Sequence, residues 1–359
     1  MDKQKVALVG CGRISYKHIE ALVNNYETSI LVAVCDIIEE RAEEKGNMYV
    51  NLIKEKYNQE VNVNVYIDYN HMYELENIDL VAIATESGNH YQHTIDALNM
   101  GKHVIVEKPI ALSNAHADEM IFLAKEKGLK LCVSHQNRFN PPIQRLRTAV
   151  EEGRFGKIYA ANARVLWNRD KNYYDQASWR GTYALDGGCL MNQCIHNIDL
   201  MQWILGSEVD CVNAMLDNYN HDYIEAEDYG SLQVRFKNGS IGNVEGTVVV
   251  YPKNLEETLT VLGEKGTVVI GGLAVNEIKT WQFADEKDDF EQVSAETKSE
   301  IANVYGNGHT ALYTDMIDAI KSNRKPYIDG NDGRVAMSII LEAYNKTKED
   351  PYHLINLDK

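Results

Sequence analysis

A strand of four apolar residues, Val6–Val9, runs directly into Gly10-Cys11-Gly12-Arg13-Ile14-Ser15. That junction limits what the chain can fold into more than any other segment. The first glycine permits a tight turn, and the second lets the backbone approach a pyrophosphate at the N-terminus of the following helix. Ser15 stands where a third glycine is common, which relaxes helix–strand packing without removing the phosphate site. A second apolar stretch, Leu31–Asp36, ends in a carboxylate. Asp36 can accept both ribose hydroxyls of NAD and repels the 2′-phosphate of NADP, so NAD is the expected cofactor. Ile37 and Ile38 follow it, where an NADP enzyme would favour arginine. Asp36 can equally serve as a helix N-cap.

Strands and helices alternate through residue 135. Val6–Gly10, Leu31–Asp36, Asn64–Tyr69, Asp79–Thr85, His103–Glu107 and Leu131–His135 read as strands. Charged amphipathic segments such as Glu39–Tyr57 and Asn114–Lys127 read as helices between them. Such alternation specifies a parallel, doubly wound sheet, a Rossmann domain over 1–135. Gln136–Gly153 reads as a crossover helix with Pro141-Pro142 near its start. From Lys157 the pattern changes to Lys157–Trp167, Gly230–Lys237, Ser240–Val250, Glu257–Leu262, Thr267–Ile270 and Ile278–Phe283. Tight turns at Asn238-Gly239 and Glu264-Lys265-Gly266 make this second sheet mainly antiparallel. Two late helices, His309–Ser322 and Gly333–Lys346, close an α+β domain over 136–359. The fold class is therefore α/β, with a second, open-faced sheet available for homodimer or homotetramer contacts.

The formal net charge of −17 repels polyanions, which argues against nucleic acid as a partner. Met1–Lys5 is polar and no apolar run approaches a membrane span, so a cytoplasmic protein without a membrane partner is expected. Cys11, Cys35, Cys132, Cys189, Cys194 and Cys211 form no C-x-x-C pair. They read as small buried hydrophobes, and no metal site is expected.

Two segments carry the chemistry. In Val104-Ile105-Val106-Glu107-Lys108-Pro109 a lysine ends an apolar strand at the sheet edge where such folds bind ligands. A desolvated lysine shifts its pKa readily, which suits proton transfer. In Gly187-Gly188-Cys189-Leu190-Met191-Asn192-Gln193-Cys194-Ile195-His196-Asn197-Ile198-Asp199, helical spacing puts Asn192, His196 and Asp199 on one face. The glycines ahead of it permit close approach to something bulky. A polar stripe on an apolar helix requires partners or a ligand, and His196 becomes an acid/base candidate beside Lys108. Thr85, Ser87 and His90 end the fourth strand, where a ribose or diphosphate would lie, although Ser87 or His90 can be simple caps. The expected cofactor side also takes in Arg13, Ile14, Glu107, Lys108 and Gln136.

The G-x-G junction, Glu107-Lys108-Pro109 and the Gly-Gly…Asn…His segment together resemble the glucose–fructose oxidoreductase/inositol dehydrogenase/MocA (Gfo/Idh/MocA) family along nearly the whole chain. The resemblance implies hydride transfer from a sugar carbinol to nicotinamide, with Lys108 and His196 flanking the reacting carbon. Many members carry aspartate where this chain has Asn192, and an amide positions a hydroxyl but cannot be a base. Gln136-Asn137-Arg138-Phe139-Asn140-Pro141, Trp167-Asn168-Arg169 and Tyr173–Thr182 are similar to the branch that oxidises C3 of UDP-N-acetyl-2-amino-2-deoxyglucuronate, the WlbA/WbpB type. Arg169 and Arg180 suit a diphosphate or carboxylate, and the tyrosines suit uracil or sugar. Trp179 and Arg180 can instead touch the dinucleotide. Tyr174, Gln176, Asn192 and His309 complete the expected substrate set. Other sugar or inositol dehydrogenases are the alternative. A non-catalytic sugar sensor has no need of Lys108 and His196.

Overall fold

A computed structural model of the chain describes residues 3–298 and 306–349. Of these, residues 3–136 and 307–334 form a first compact unit, and residues 137–298, 306 and 335–349 a second.

In the first unit, strands β1 (Gln4–Val9), β2 (Ser29–Cys35), β3 (Asn64–Tyr66), β4 (Leu80–Ile83), β5 (His103–Val106) and β6 (Leu131–Val133) form a wholly parallel sheet. Their order is β3-β2-β1-β4-β5-β6. Val6–Leu8, Leu80–Ile83 and Val104–Val106 are fully enclosed, as continuous apolar strands covered on both faces must be. The order reverses between β1 and β4, and the crevice at such a switch point is where these sheets bind ligands. Helices α1 (Ser15–Asn24), α2 (Glu39–Tyr57), α3 (Tyr69–Leu75), α4 (His90–Asn99) and α5 (Asn114–Glu126) connect the strands. The third strand is shorter than the sequence pattern suggests. Asp68 accepts the Asn70 N–H and starts α3, so the chain leaves the sheet after Tyr66.

The second unit begins with α6 (Pro141–Glu151), whose prolines occupy the first turn, where a missing N–H is harmless. Next come β7 (Ile158–Leu166), α7 (Lys171–Tyr174), α8 (Ile195–Leu205), β8 (Val209–Asp217), β9 (Tyr229–Phe236), β10 (Ile241–Thr247), β11 (Glu256–Gly263), β12 (Gly266–Gly271), β13 (Glu277–Phe283) and α9 (Phe290–Thr297). The sheet order is β13-β12-β11-β7-β10-β9-β8. Every neighbouring pair is antiparallel except β7 and β10. One face buries Ala161, Ala163, Val165, Val244, Leu259 and Val261. On the other face, Asn243 donates to Asn162 at 2.8 Å and Arg164 to Glu245 at 2.9 Å. Strand β8 is not evident in the sequence pattern. It is an edge strand on which Val212 and Leu216 are buried while Asp210, Cys211, Asn213 and Met215 are exposed, so its alternation is faint.

The last two helices, α10 (Gly308–Lys321) and α11 (Gly330–Glu349), divide differently from the expected boundary. The sequence pattern places everything after residue 135 in one domain, yet 307–334 packs with the first unit. The reason is specific bonding. Thr314 donates to the Asn25 side chain at 2.7 Å, Asn25 donates to the Thr310 carbonyl at 3.0 Å, and Tyr313 reaches His18 at 2.8 Å. Five of the six free cysteines are buried; Cys211, on the edge strand, is exposed. Among the described residues no helix is long and apolar enough to cross a membrane.

Candidate functional site

The first unit offers a dinucleotide cradle. Gly10 has φ +91°, and a Cβ there would stand 2.6 Å from the Ala84 carbonyl carbon, so only glycine lets the loop lie on the end of β4. Gly12 faces open space, with nothing within 4 Å of where its Cβ would be. Helix α1 has Ile14 at its N-cap position and no side-chain cap, and Arg13 beside it is exposed. A glycine-lined helix start without a cap is the arrangement that receives a diphosphate. Asp36 does not cap α2. Its Oδ2 accepts the Cys11 N–H at 2.7 Å and its Oδ1 the Ile38 N–H at 2.9 Å, so the carboxylate ties β2 to the glycine loop. These residues fit NAD. Asp36→Ala is expected to weaken NAD binding by roughly 10- to 100-fold, through loss of a charged hydrogen bond of about 1.5–3 kcal/mol, and to ease entry of NADP. Dinucleotide titration of the variant and wild type measures both effects, and a wild type that prefers NADP would contradict the assignment.

Around Lys108 the backbone is clamped on both sides. Glu107, buried, accepts Nε2–H of His18 at 3.2 Å and of His309 at 3.3 Å on a single oxygen. Tyr313 closes the cluster on the His18 Nδ1. Burial pushes the Glu107 carboxyl up, but the two imidazoles outweigh it and hold it well below the usual carboxylate range. Burial pushes His309 down. Beyond Lys108, the ring nitrogens of His90 face the carbonyls of Pro109 at 2.7 Å and Thr85 at 3.1 Å. Lys108 itself is half-buried. Thr85 also meets His93 at 3.1 Å, Ser87 is buried at the start of the turn into α4, and Gln136 is buried where the unit ends.

Two expectations change here. His309, read as a substrate residue, is an enclosed member of the first unit whose ring serves Glu107, because α10 returns to that unit. Glu107, read as a cofactor contact, has one oxygen committed to two histidines. His18, Glu107 and His309 bring three ligand-type atoms within 4.8 Å of one another, here joined by hydrogen bonds.

The second unit presents a cationic cluster. Arg169 donates to the Gln193 side chain at 2.9 Å and to Asn254 at 3.2 Å, and lies over Trp167 and Tyr173. Arg180 donates to the Tyr173 hydroxyl at 2.6 Å and lies over Tyr173 and Trp179. Gln193 donates to the same hydroxyl at 2.9 Å, joining the two arginines through neutral groups. Among the described residues neither guanidinium pairs with a carboxylate, and the Arg180 Nε has no partner. His221 holds the Arg169 carbonyl at 2.7 Å and is itself held by Asp228 at 2.8 Å. Burial opposes ionisation of Asp228, but His221 and the Tyr219 and Asn220 amides keep its carboxyl low.

The helix bearing His196 departs from the expected geometry. Leu190–Cys194 is a π-helical turn and α8 starts only at Ile195, which breaks the single polar face. Asp199 is fully buried and grips Arg138 through two bonds of 2.6 and 2.7 Å, so it is structural. Asn192 donates to Asp186, whose other oxygen takes the Gly181 N–H at 2.7 Å. His196 is half-buried. Tyr174, expected in the substrate set, is buried among His221, Tyr223 and Gly181, and Tyr173 is the tyrosine in the arginine cluster. Gln176 is exposed. Gln193, Asp186, His221 and Asp228 were not among the expected site residues, and Tyr173 was expected only as one of the tyrosines suited to uracil or sugar. Gln193 adjoins Asn192 and Tyr173 adjoins Tyr174, which is the one local signal; Asp228 and His221 have none.

Comparison with known proteins agrees with both units. Residues 4–135 match the model described as oxidoreductase family, NAD-binding Rossmann fold, and residues 143–269 match the GFO/IDH/MocA C-terminal domain. Myo-inositol 2-dehydrogenase of Thermotoga maritima is 26% identical over 96% of each chain. The WlbA dehydrogenase of Bordetella pertussis, solved with NADH and UDP-GlcNAcA, is 34% identical, covering 97% of this chain and 96% of that one, with a TM-score of 0.84. Its counterpart from Chromobacterium violaceum, with the same two ligands, is 34% identical over 97% of this chain and 94% of that one, at a TM-score of 0.83. The chain belongs to the Gfo/Idh/MocA family and is an NAD-dependent oxidoreductase acting on a sugar CH–OH group.

Proposed function

We propose that the sugar is carried on a nucleotide, and that the protein oxidises the C3 hydroxyl of UDP-N-acetyl-2-amino-2-deoxyglucuronate to the 3-keto sugar, a step suited to surface polysaccharide synthesis. The observation that carries this reading is the pair of guanidiniums without carboxylate partners among the described residues, Arg169 and Arg180, braced through Gln193 and Tyr173. Planar, forked donors match diphosphate and carboxylate oxygens bidentately. A free cyclitol has no anion for either arginine to hold. The two 34%-identical structures that hold UDP-GlcNAcA support the same choice.

In this reading Asn192 orients the sugar and is itself held by Asp186. His196 accepts the C3 hydroxyl proton, and Lys108 positions that oxygen; the reverse division of roles uses the same residues. NAD, when bound, accepts the hydride. Trp179 stacks on Arg180 and keeps its plane fixed.

Replacing Arg169 or Arg180 with lysine keeps the charge and removes the fork. The KM for UDP-GlcNAcA is expected to rise by about tenfold or more, with kcat changed less. Steady-state kinetics with UDP-GlcNAcA and with myo-inositol separates the readings. If both lysine variants match wild type on the UDP-sugar, or if myo-inositol is the better substrate, the nucleotide-sugar proposal fails.

A further inference from the structure

Under the Gly187-Gly188 turn lies a carboxyl group with no part in the chemistry above. Glu227, just before β9, is fully buried. Its Oε1 accepts the Leu190 N–H at 2.9 Å and lies 2.9 Å from the Tyr344 hydroxyl, and that hydroxyl also contacts the Gly187 carbonyl oxygen. Its Oε2 has no hydrogen-bond partner among the described residues and packs on Gly188, where φ is +89° and any Cβ would overlap it. The Glu227 backbone carbonyl takes the Cys189 N–H at 3.2 Å. The close approach that the two glycines permit is therefore to this side chain.

Counting protons points to its charge. The Tyr344 hydroxyl has one proton and faces two oxygens. A carbonyl cannot donate, so both contacts are full hydrogen bonds only when Glu227 supplies the second proton. An ionised Glu227 would also leave Oε2 as an unpaired buried anion, which costs far more than a neutral acid. The titratable groups around it are Tyr183, Asp186, Cys189 and Tyr344.

We infer that Glu227 is a neutral carboxylic acid in the folded protein and a positioning residue for the turn that presents Asn192 and His196. Its proton bridges to Tyr344 and so to Gly187, while its oxygen holds Leu190, the first residue of the π-helical turn. The segment from Gly187 to Leu190 is thus moulded on one side chain. Ionisation would remove the donor to Tyr344 and set a second negative charge near Asp186, the partner of Asn192. Burial pushes the Glu227 carboxyl up to about 8, with Asp186 acting in the same direction and the Leu190 N–H against it. The positioning role rests on the reading that Asn192 and His196 serve the sugar; the charge state does not.

The charge state is tested without substrate. A group protonated in the folded state but not in the unfolded state contributes stability that is lost as pH rises from the unfolded pKa to the folded one. Relative to wild type, Glu227→Gln should therefore gain in melting temperature as the pH is raised from about 5 to about 9. Glu257, likewise buried and pushed up to about 8, affects both proteins equally and cancels in that difference. In the infrared spectrum at neutral pH, wild type should show a carboxylic-acid carbonyl band that is absent in Glu227→Gln and that persists in Glu257→Gln. Parallel melting curves across that range, or no band assignable to Glu227, overturn the neutral acid. Positioning is read as a split in kinetic constants. Glu227→Ala should lower kcat by about tenfold with the KM for NAD unchanged, and Glu227→Gln should recover most of the loss. If Glu227→Ala does not fold, Tyr344→Phe is read instead and should show a smaller loss confined to kcat. Wild-type kcat in Glu227→Ala, or in Tyr344→Phe where that variant is the one read, overturns the positioning role even if the acid is neutral.

Discussion

Lys108→Ala is expected to lower turnover by about 10²–10⁴-fold while NAD still binds, the usual worth of a positioned proton-transfer group. The structure gives a reason to expect the upper half of that range. Lys108 follows Glu107, which is fixed by His18 and His309, and precedes Pro109, whose carbonyl is held by His90. A residue so tightly clamped presents its amine from a fixed point. His196→Asn should cost a similar factor, since asparagine keeps polarity but cannot take up a proton at neutral pH. Single-turnover NADH formation measures the chemical step, and fluorescence titration with NADH measures binding separately. Near-normal turnover in either variant removes that residue from the mechanism. The pH–rate profile of the two variants then assigns the base, because its removal abolishes the acid limb of kcat.

The second large effect concerns stability. Asp199→Ala should destabilise the second unit by about 3–5 kcal/mol, the cost of leaving one partner of a buried ion pair alone. Arg138 and Asp199 are each 1% exposed at the side chain, bonded at 2.6 and 2.7 Å, and Arg138 lies over Trp203. The guanidinium left by this substitution stays enclosed, with its carboxylate partner gone. Urea denaturation followed by tryptophan fluorescence measures the loss. A double replacement, Arg138→Met with Asp199→Leu, should recover most of it, since the cost lies in the uncompensated charge more than in the absence of the pair. A single variant as stable as wild type would show that the pair is solvated in solution.

Much of the first unit is legible in the chain because its signals are local. Gly10 must be glycine to turn against Ala84, and five short apolar runs can be little else than the core of a parallel sheet. Asp36 was legible as a carboxylate at the end of β2, but its grip on the Cys11 amide was not. The stripe of Asn192, His196 and Asp199 misled for a physical reason. An α-helical period was assumed through a π-helical turn, and Asp199 faces Arg138 from a segment 61 residues away. A buried charge looks the same in sequence whether a ligand or a distant arginine neutralises it.

The sequence by itself determined the parallel sheet, the dinucleotide loop and the change to antiparallel strands. Each of these follows from spacing within a few residues. Tertiary structure alone decided that His309 belongs beside Glu107, that Tyr173 and not Tyr174 joins the arginines, and that Glu227 lies beneath the glycine turn. Those outcomes depend on which polar groups are buried together. A buried hydrogen bond is satisfied by whatever partner the fold brings within about 3 Å, however far apart the two residues stand in the chain.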